Sequence, residues 1–379
     1  MLAGISATET TERPTMEIDR ALTTQPLLFQ DNRVERFYTG GRLLNEWRGM
    51  PPVEDSHACE ELLVTSDGAI RAGKPAGYGV SRTIPEQGGV PLDELIAAYP
   101  DEILGPRFQA FNPGQLAVLV RAGDTTVRIV MQCHLTDENA RRYFGMARGK
   151  AEAWYIARLR GGVDERYVYA GFKPHVTPEL WRELFERQDI DAMVGCLHMI
   201  RVREGDEILI PAGMPHCMGP GCLFVEYHEC NDVTIRAERV IGGQRIDDAE
   251  LFHGLSADEG LALFDYTTYD DAAIRERCVM VPRLLEQTGE YRLRALIGPD
   301  RAEGFEVQAV DLTGAYELPA FDGHRVLVAV DGDTALVTRD GARRILRQGS
   351  GALVPAACEG LVLEGAGSRV TIGLPQVKG

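Results

Sequence analysis

The 379-residue chain has no apolar run long enough to cross a membrane as a helix; its longest, such as Val326-Leu327-Val328-Ala329-Val330, fall far short of the ~20 residues needed. It also lacks any block of Lys and Arg. With 57 acidic and 40 basic residues the net charge is −17, and so acidic a chain has no field with which to hold DNA or RNA. Nucleic acid and membrane are therefore disfavoured as partners. There is no Cys-x-x-Cys pair, and eight cysteines in this length are too sparse for a disulfide framework, so reduced thiols and a cytoplasmic location are expected. Met1 to Asp19 is rich in Thr and Glu and has no basic start followed by an apolar run; residues 1–20 read as a flexible tail rather than a secretion signal. GxxxxGK[ST], GxGxxG after a strand, GxSxG and HExxH are all missing, which removes the sequence support for nucleotide, serine-hydrolase and zincin chemistries.

What is present is the composition of a globular protein, 44% hydrophobic and 26% charged, with residues enough for a sizeable core. Between residues 20 and 100 short strand-like pieces alternate with the turns Thr39-Gly40-Gly41, Ser66-Asp67-Gly68 and Gln87-Gly88-Gly89. Leu92, Leu95 and Ile96 recur at helical spacing within 91–99. From Gln115 to His134 the alternation of Leu116, Val118 and Val120, a turn at Gly123-Asp124, and the alternation of Val127, Ile129 and Met131 predict a β-hairpin ending at Gln132-Cys133-His134. A short helix is expected over 136–143 and a strand over 154–156. Thr177-Pro178-Glu179 opens a longer helix whose apolar face includes Leu180, Leu184 and Ile190.

A phrase is then repeated. Gly205 to Pro211 and Gly349 to Pro355 share a Gly-x5-Pro spacing, and the strand 326–330 with turn Asp331-Gly332 precedes the second copy much as 154–156 with Gly161-Gly162 precedes the first. Such a duplication of a β unit, with many short strands and Gly and Pro turns, predicts a mainly β chain of two tandem jelly rolls with a few connecting helices. The boundary is placed near residue 285, after a helical stretch over 257–277, giving units 21–285 and 286–379.

Gly205-x5-Pro211-x-Gly213-x2-His216 resembles the second sequence motif of the cupin superfamily, whose His binds a metal inside a small β-barrel. Gln132-x-His134, Lys150-x-Glu152-x-Trp154, Pro211-Ala212-Gly213-x-Pro215-His216 and Glu226-x5-Asp232-x-Thr234-x-Arg236 follow in the order and rough spacing of the type I mannose-6-phosphate isomerases. The resemblance covers about residues 30–240, and the remainder resembles a degenerate second cupin. There Gly360 stands where the first copy has His216 and Ala357 where it has Gly213, so no metal is expected in that unit. The departures are Leu135, where the family usually has Pro, His228-Glu229, where short bacterial members tend to carry Gln-Gln, and Ile235, where they tend to carry Tyr.

The resemblance implies one Zn²⁺ per chain, held by Gln132, His134, Glu152 and His216. The residue physics agrees: Gln132 and His134, two apart on a strand, leave the same face, and two imidazoles with a carboxylate suit zinc with an open position. Read singly, a histidine is more often a hydrogen-bonded structural residue. A rival cluster, Cys217, Cys222 and Cys230 with His216 and His228, fits no finger spacing, and buried free thiols explain it better. The implied activity is interconversion of mannose 6-phosphate and fructose 6-phosphate through an enediol, which needs a Lewis acid and a proton carrier. Glu226 is the candidate carrier, its pKa raised by burial beside Phe224 and Tyr227, against the plain reading of a barrel-lining Glu. Lys150 is placed by the resemblance at substrate oxygens, and Arg236 at the sugar phosphate; their plain readings are a solvated turn Lys and a surface pair with Asp232 or Glu238. Other sugars on the same site, an Fe²⁺ dioxygenase, and a non-enzymatic sugar-binding cupin stay open, as does monomer or homodimer.

Overall fold

The computed structural model describes residues 18–67, 77–163 and 166–377. Most of the expected tail, and Gly68 of the expected 66–68 turn, lie outside them. The chain is mainly β and forms two sandwiches, each of one large and one small antiparallel sheet. In the first, the large sheet runs in the order Arg33–Val34, Glu60–Val64, Val118–Asp124, Cys222–Glu229, Glu152–Leu159, Glu207–Ile210, and the small one in the order Thr234–Arg236, Gln132–His134, His216–Met218, Tyr167–Phe172, Leu197–Arg201. In the second, the large sheet runs Arg283–Gln287, Tyr291–Ile297, Phe305–Leu312, Ser368–Pro375, Arg325–Asp331, Gly351–Val354, and the small one Ala315–Glu317, Val362–Glu364, Thr334–Val337, Arg343–Leu346. Strand for strand, the second large sheet repeats the order of the first. The duplication read in the sequence is thus a duplication of topology. Gly205 and Gly349 both take positive φ, 86° and 74°, a conformation open to glycine at little cost.

One strand joins the wrong end of the chain. Leu27–Leu28 pairs antiparallel with Leu353 and Ala352 and forms the outer edge of the second large sheet.

The two large sheets pack back to back. Val118, Val120, Tyr155, Val225 and Tyr227 of the first share one core with Ile297, Phe305, Val307, Val326 and Val328 of the second. The other face of the first large sheet, with Trp154, Ile156, Ile208 and Phe224, packs on Val168, Ala170 and Met218 of its small sheet. All eight residues of Cys222–Glu229 are therefore buried, because both faces of this strand are covered. Helices close the outside of the small sheet, where Trp181, Phe185, Phe252 and Phe264 cover Cys133, Leu135 and Cys217.

Local chemistry set several elements as expected. The helix Leu92–Ala98 buries Leu92, Leu95 and Ile96. Thr136 caps Asp137–Phe144 through its side chain, and Thr177 caps Pro178–Arg187; the latter buries Trp181, Leu184 and Phe185, while Ile190 starts a separate helix. Two elements differ. The stretch 115–134 is not a hairpin: Val118–Asp124 lies in the large sheet and Gln132–His134 in the small one. Ile129, Val130 and Met131 are all buried in succession, so the chain crosses between layers there and the apparent alternation carries no strand. After Gly41 comes a helix, Arg42–Trp47, rather than a strand. The Asp124 carboxylate accepts the N–H groups of Gly41 at 2.7 Å and Leu43 at 3.0 Å, so this helix is capped by a distant strand and no local signal marks it.

Candidate metal centre and active site

Four strands deliver the polar side chains to one place inside the first sandwich. His134 ends Gln132–His134, whose Gln132 pairs with His216. Glu152 opens its strand opposite Ile210, the residue before the Pro211-Ala212-Gly213 turn that leads to His216. Glu226 lies across from Trp154 and His228 across from Glu152, so the same face of Cys222–Glu229 looks into the site.

Ligand atoms of His134, Glu152 and His216 lie within 4.8 Å of one another, and all three residues are buried. His134 Nε2 is 3.0 Å from Glu152 Oε2, and His216 Nε2 is 3.1 Å from Oε1. The protons of the rings are elsewhere. His134 Nδ1 is 3.2 Å from the Val233 carbonyl and His216 Nδ1 2.8 Å from the Met214 carbonyl, and a carbonyl can only accept. Burial, with Lys150 nearby, pushes the His134 pKa down to about 4 against the pull of Glu152, so this ring is neutral and its Nε2 is a bare lone pair. Glu152 is held well below the usual carboxylate range: burial opposes its charge, but the Lys150 ammonium beside it outweighs that cost. His134 Nε2 and Glu152 Oε1 are fully buried without a hydrogen-bond partner, and Glu152 Oε2 is faced by the Lys150 ammonium at 3.0 Å. Acceptors facing acceptors at such distances are repulsive unless a cation lies between them. The donor set therefore fits a divalent metal, and the Nδ1 contacts to backbone carbonyls are the supports that orient ligating histidines. Gln132 reaches His216 Nε2 at 3.3 Å through its amide nitrogen; a half-turn of the amide presents its oxygen instead.

Lys150, with no exposed surface, sits beside this group. Its Nζ is 3.0 Å from Glu152 Oε2 and 3.2 Å from Glu226 Oε1, and although burial works against the charge, these two carboxylates keep its pKa raised. It is a buried cation, not a solvated turn residue. Glu226 has its pKa raised, by burial first and by Glu152, against Arg121 and Lys150. Arg236 makes no ion pair among the described residues: Glu238 instead binds Arg128 at 2.6 Å, and Asp232 faces Arg121 at 3.5 Å. The Arg236 guanidinium lies 5.8 Å from the Phe37 ring centroid, and its buried Nε has no partner.

Sequence reading missed Arg121 and Arg36. Arg121 stands opposite Glu226 in the ladder and donates to its Oε1 at 2.7 Å; with Arg36, His228 and Asp232 it lines a cavity of about 40 Å³. The one available signal was a lone arginine among the apolar residues Val118, Leu119, Val120 and Ala122 of its strand. The rival thiol cluster does not form: the only metal-capable group among the described residues is the His-Glu-His one, and burial raises the Cys217, Cys222 and Cys230 thiols to about 12. A much larger concavity of about 700 Å³, lined by Glu290, Asp333, Arg343 and Glu364 of the second sandwich, is open and holds no histidine or cysteine.

No family model matches the chain. Among characterised proteins it is 27% identical over 212 residues to the mannose-6-phosphate isomerase of Streptococcus mutans, a match covering 56% of this chain and 60% of that protein. It is 25% identical over 217 residues to mannose-6-phosphate isomerase ManA of Bacillus subtilis, covering 57% and 61%. The chain thus aligns to about three fifths of the length of these relatives. Among solved structures, the mannose 6-phosphate isomerase of Bacillus subtilis superposes with a TM-score of 0.72 at 18% identity, over 93% of this chain and 100% of that one. A putative mannosephosphate isomerase from Archaeoglobus fulgidus gives 0.68 at 20% identity, over 96% and 100%. The chain is a divergent relative of the mannose-6-phosphate isomerases, built on their cupin fold.

Proposed function

We propose that the protein is a zinc-dependent aldose–ketose isomerase, with one ion per chain, that interconverts mannose 6-phosphate and fructose 6-phosphate through an enediol. The observation that carries this reading is the convergence of ligand atoms of His134, Glu152 and His216 within 4.8 Å of one another, with His134 Nε2 unpartnered, beside a buried Lys150–Glu226 pair. His134, Glu152, His216 and the turned Gln132 amide would hold the zinc, which supplies a Lewis acid for the substrate carbonyl. Glu226 takes the proton from C2 of the open-chain aldose and returns it at C1; its raised pKa makes it a stronger base than a solvated carboxylate. Lys150, kept charged, donates to the sugar oxygens on which negative charge develops. Arg236, a cation without an anionic partner, engages the phosphate.

We propose further that the chain divides near residue 285, with the catalytic unit over 21–285 and a cupin-like unit without metal over 286–379. Eight free cysteines, none disulfide-bonded, support a reducing compartment such as the cytoplasm, and no described helix is long and apolar enough to cross a membrane.

The test is a coupled assay of zinc-loaded protein with mannose 6-phosphate, beside free mannose and a chelated control. Metal-dependent turnover of the phosphate ester is expected. Absence of turnover on either sugar removes this reading. Arg236→Ala is expected to weaken the phosphate ester more than free mannose, and equal losses would remove the phosphate role.

A further inference from the structure

The strand Cys222–Glu229 has two faces with different neighbours. Glu226 and His228 look into the site. Tyr227 and Glu229, on the opposite face, look toward the second sandwich: Tyr227 Oη lies 2.5 Å from Thr371 Oγ1, and Glu229 packs against Gly304. Glu229 is 5% exposed. Its carboxylate Oε2 accepts the N–H of Ala151 at 3.0 Å, and its own N–H donates to the Ala151 carbonyl at 3.2 Å. Ala151 is the residue between Lys150 and Glu152. Two hydrogen bonds therefore clamp the peptide that carries both the buried ammonium and the carboxylate of the metal group.

The clamp is backed from the second sandwich. A Cβ on Gly304 would lie 2.2 Å from Glu229 Oε1 and 2.8 Å from its Cγ, so the Glu229 side chain occupies the space that a side chain at 304 would need. Gly304 itself is anchored: its carbonyl accepts from Gln376 N at 2.9 Å, and the next residue, the fully buried Phe305, starts a strand of the second large sheet. The Glu229 side chain is thus packed directly on the backbone at Gly304.

We propose that Glu229 is a positioning residue for Lys150 and Glu152, and that Gly304 of the second sandwich holds it in place. The second sandwich is then part of the alignment of the site and not only a cover for its sheet. Placement of Glu152 in the metal group is independent of the substrate; only the turnover readout below rests on the proposed isomerase activity.

The experiment uses the full chain as wild type, Glu229→Gln, Glu229→Leu and Gly304→Ala. The probe is Co²⁺, titrated into chelator-treated protein and followed by its visible absorption, with thermal melting as the control for folding. Glu229→Leu and Gly304→Ala are expected to weaken Co²⁺ binding about 10–100-fold, the usual cost of losing a support behind a ligand. Glu229→Gln, which keeps an acceptor oxygen at the same reach, is expected to stay within about threefold of wild type, a small fraction of that loss. Hydrogen exchange of the Ala151 amide in metal-free protein reads the clamp without any ion, and is expected to speed up in the first two variants only. With mannose 6-phosphate, those two should lose kcat more than they change KM. Unchanged Co²⁺ affinity and unchanged Ala151 exchange in folded Glu229→Leu and Gly304→Ala would overturn the proposal, as would equal losses in Gln and Leu. If Leu does not fold, Gly304→Ala against Glu229→Gln decides. The variant pattern in Co²⁺ binding without turnover in wild type would fail the isomerase reading and leave the positioning role standing.

Discussion

The two sandwiches share a strand order and differ in what they hold. Glu152 stands opposite Ile210, one residue before Pro211; Arg325 stands in the same place opposite Val354, one residue before Pro355. The strand that carries Gln132 and His134 in the first is Ala315-Tyr316-Glu317 in the second. Where the first interior gathers His134, Lys150, Glu152, His216 and Glu226, the second is filled by Leu327, Ala329, Leu336, Leu346, Leu363 and Ile372. One topology thus folds around either content. Five buried ionisable groups are costly to desolvate and an apolar filling is not, so the polar interior is retained for what it does rather than for stability.

The contrast can be broken by exchanging the two kinds of loss. His216→Ala is expected to abolish stoichiometric metal binding and to cut turnover by about 10³-fold or more with little change in the melting temperature of the metal-free protein; metal analysis beside melting curves checks it. In the second sandwich the converse holds. Leu327→Ala, at a fully buried position, should cost about 2–5 kcal/mol of stability and leave metal content intact, measured by denaturant unfolding and metal analysis. A drop in metal content there would show that the interiors are not independent. Within the first sandwich, Glu226→Gln is expected to keep the metal and slow turnover by about 10²-fold, and unchanged turnover would remove Glu226 as proton carrier.

The smallest expected effect lies between the sandwiches. Glu207 is fully buried opposite Tyr155, near Tyr227, with neither carboxylate oxygen hydrogen-bonded; the corresponding residue of the second copy is Gly351. Burial alone pushes its pKa well above the usual value of 4.5. Between those two values the folded chain binds a proton that the unfolded chain releases, so stability falls as pH rises from about 4.5 through the folded pKa, by at most about 1.4 kcal/mol per pH unit. Glu207→Gln should flatten this dependence and melt higher than wild type near neutral pH. Melting curves of both proteins from pH 5 to pH 8 would show parallel slopes if Glu207 plays no such part.

What the sequence disclosed follows from the range of each interaction. Gln132 and His134 share a face because they are two apart, and the Gly205 to His216 spacing is a turn read from consecutive residues; both are local, and both were legible. Capped helices such as Pro178–Arg187 were legible for the same reason. The hairpin over 115–134 was misread because alternation says that a residue faces a core and not which sheet it joins. Arg121 escaped notice because its meaning lies in the cross-strand partner Glu226, about a hundred residues on; Glu229 stood out only as a departure from the family's usual residue, because what it touches, Ala151 and Gly304, is distant in sequence. Register between distant strands is set by tertiary packing, which a single sequence does not spell out.

Leu27–Leu28, laid along Gly351–Val354, ties the first strand of the described residues to one of the last. The same seam is stitched by Trp47, whose indole N–H donates to the Val330 carbonyl at 2.9 Å. On the ribosome, the partner of this edge emerges only after the residues between Leu28 and Gly351 have been made. At about 5–20 residues per second the opening segment must wait many seconds with its apolar side chains uncovered, a natural occasion for a chaperone. Contacts of such long sequence separation also slow refolding. A deletion at either end should therefore be felt at the other, and expression trials that trim the C-terminus would be expected to lose the N-terminal edge along with it.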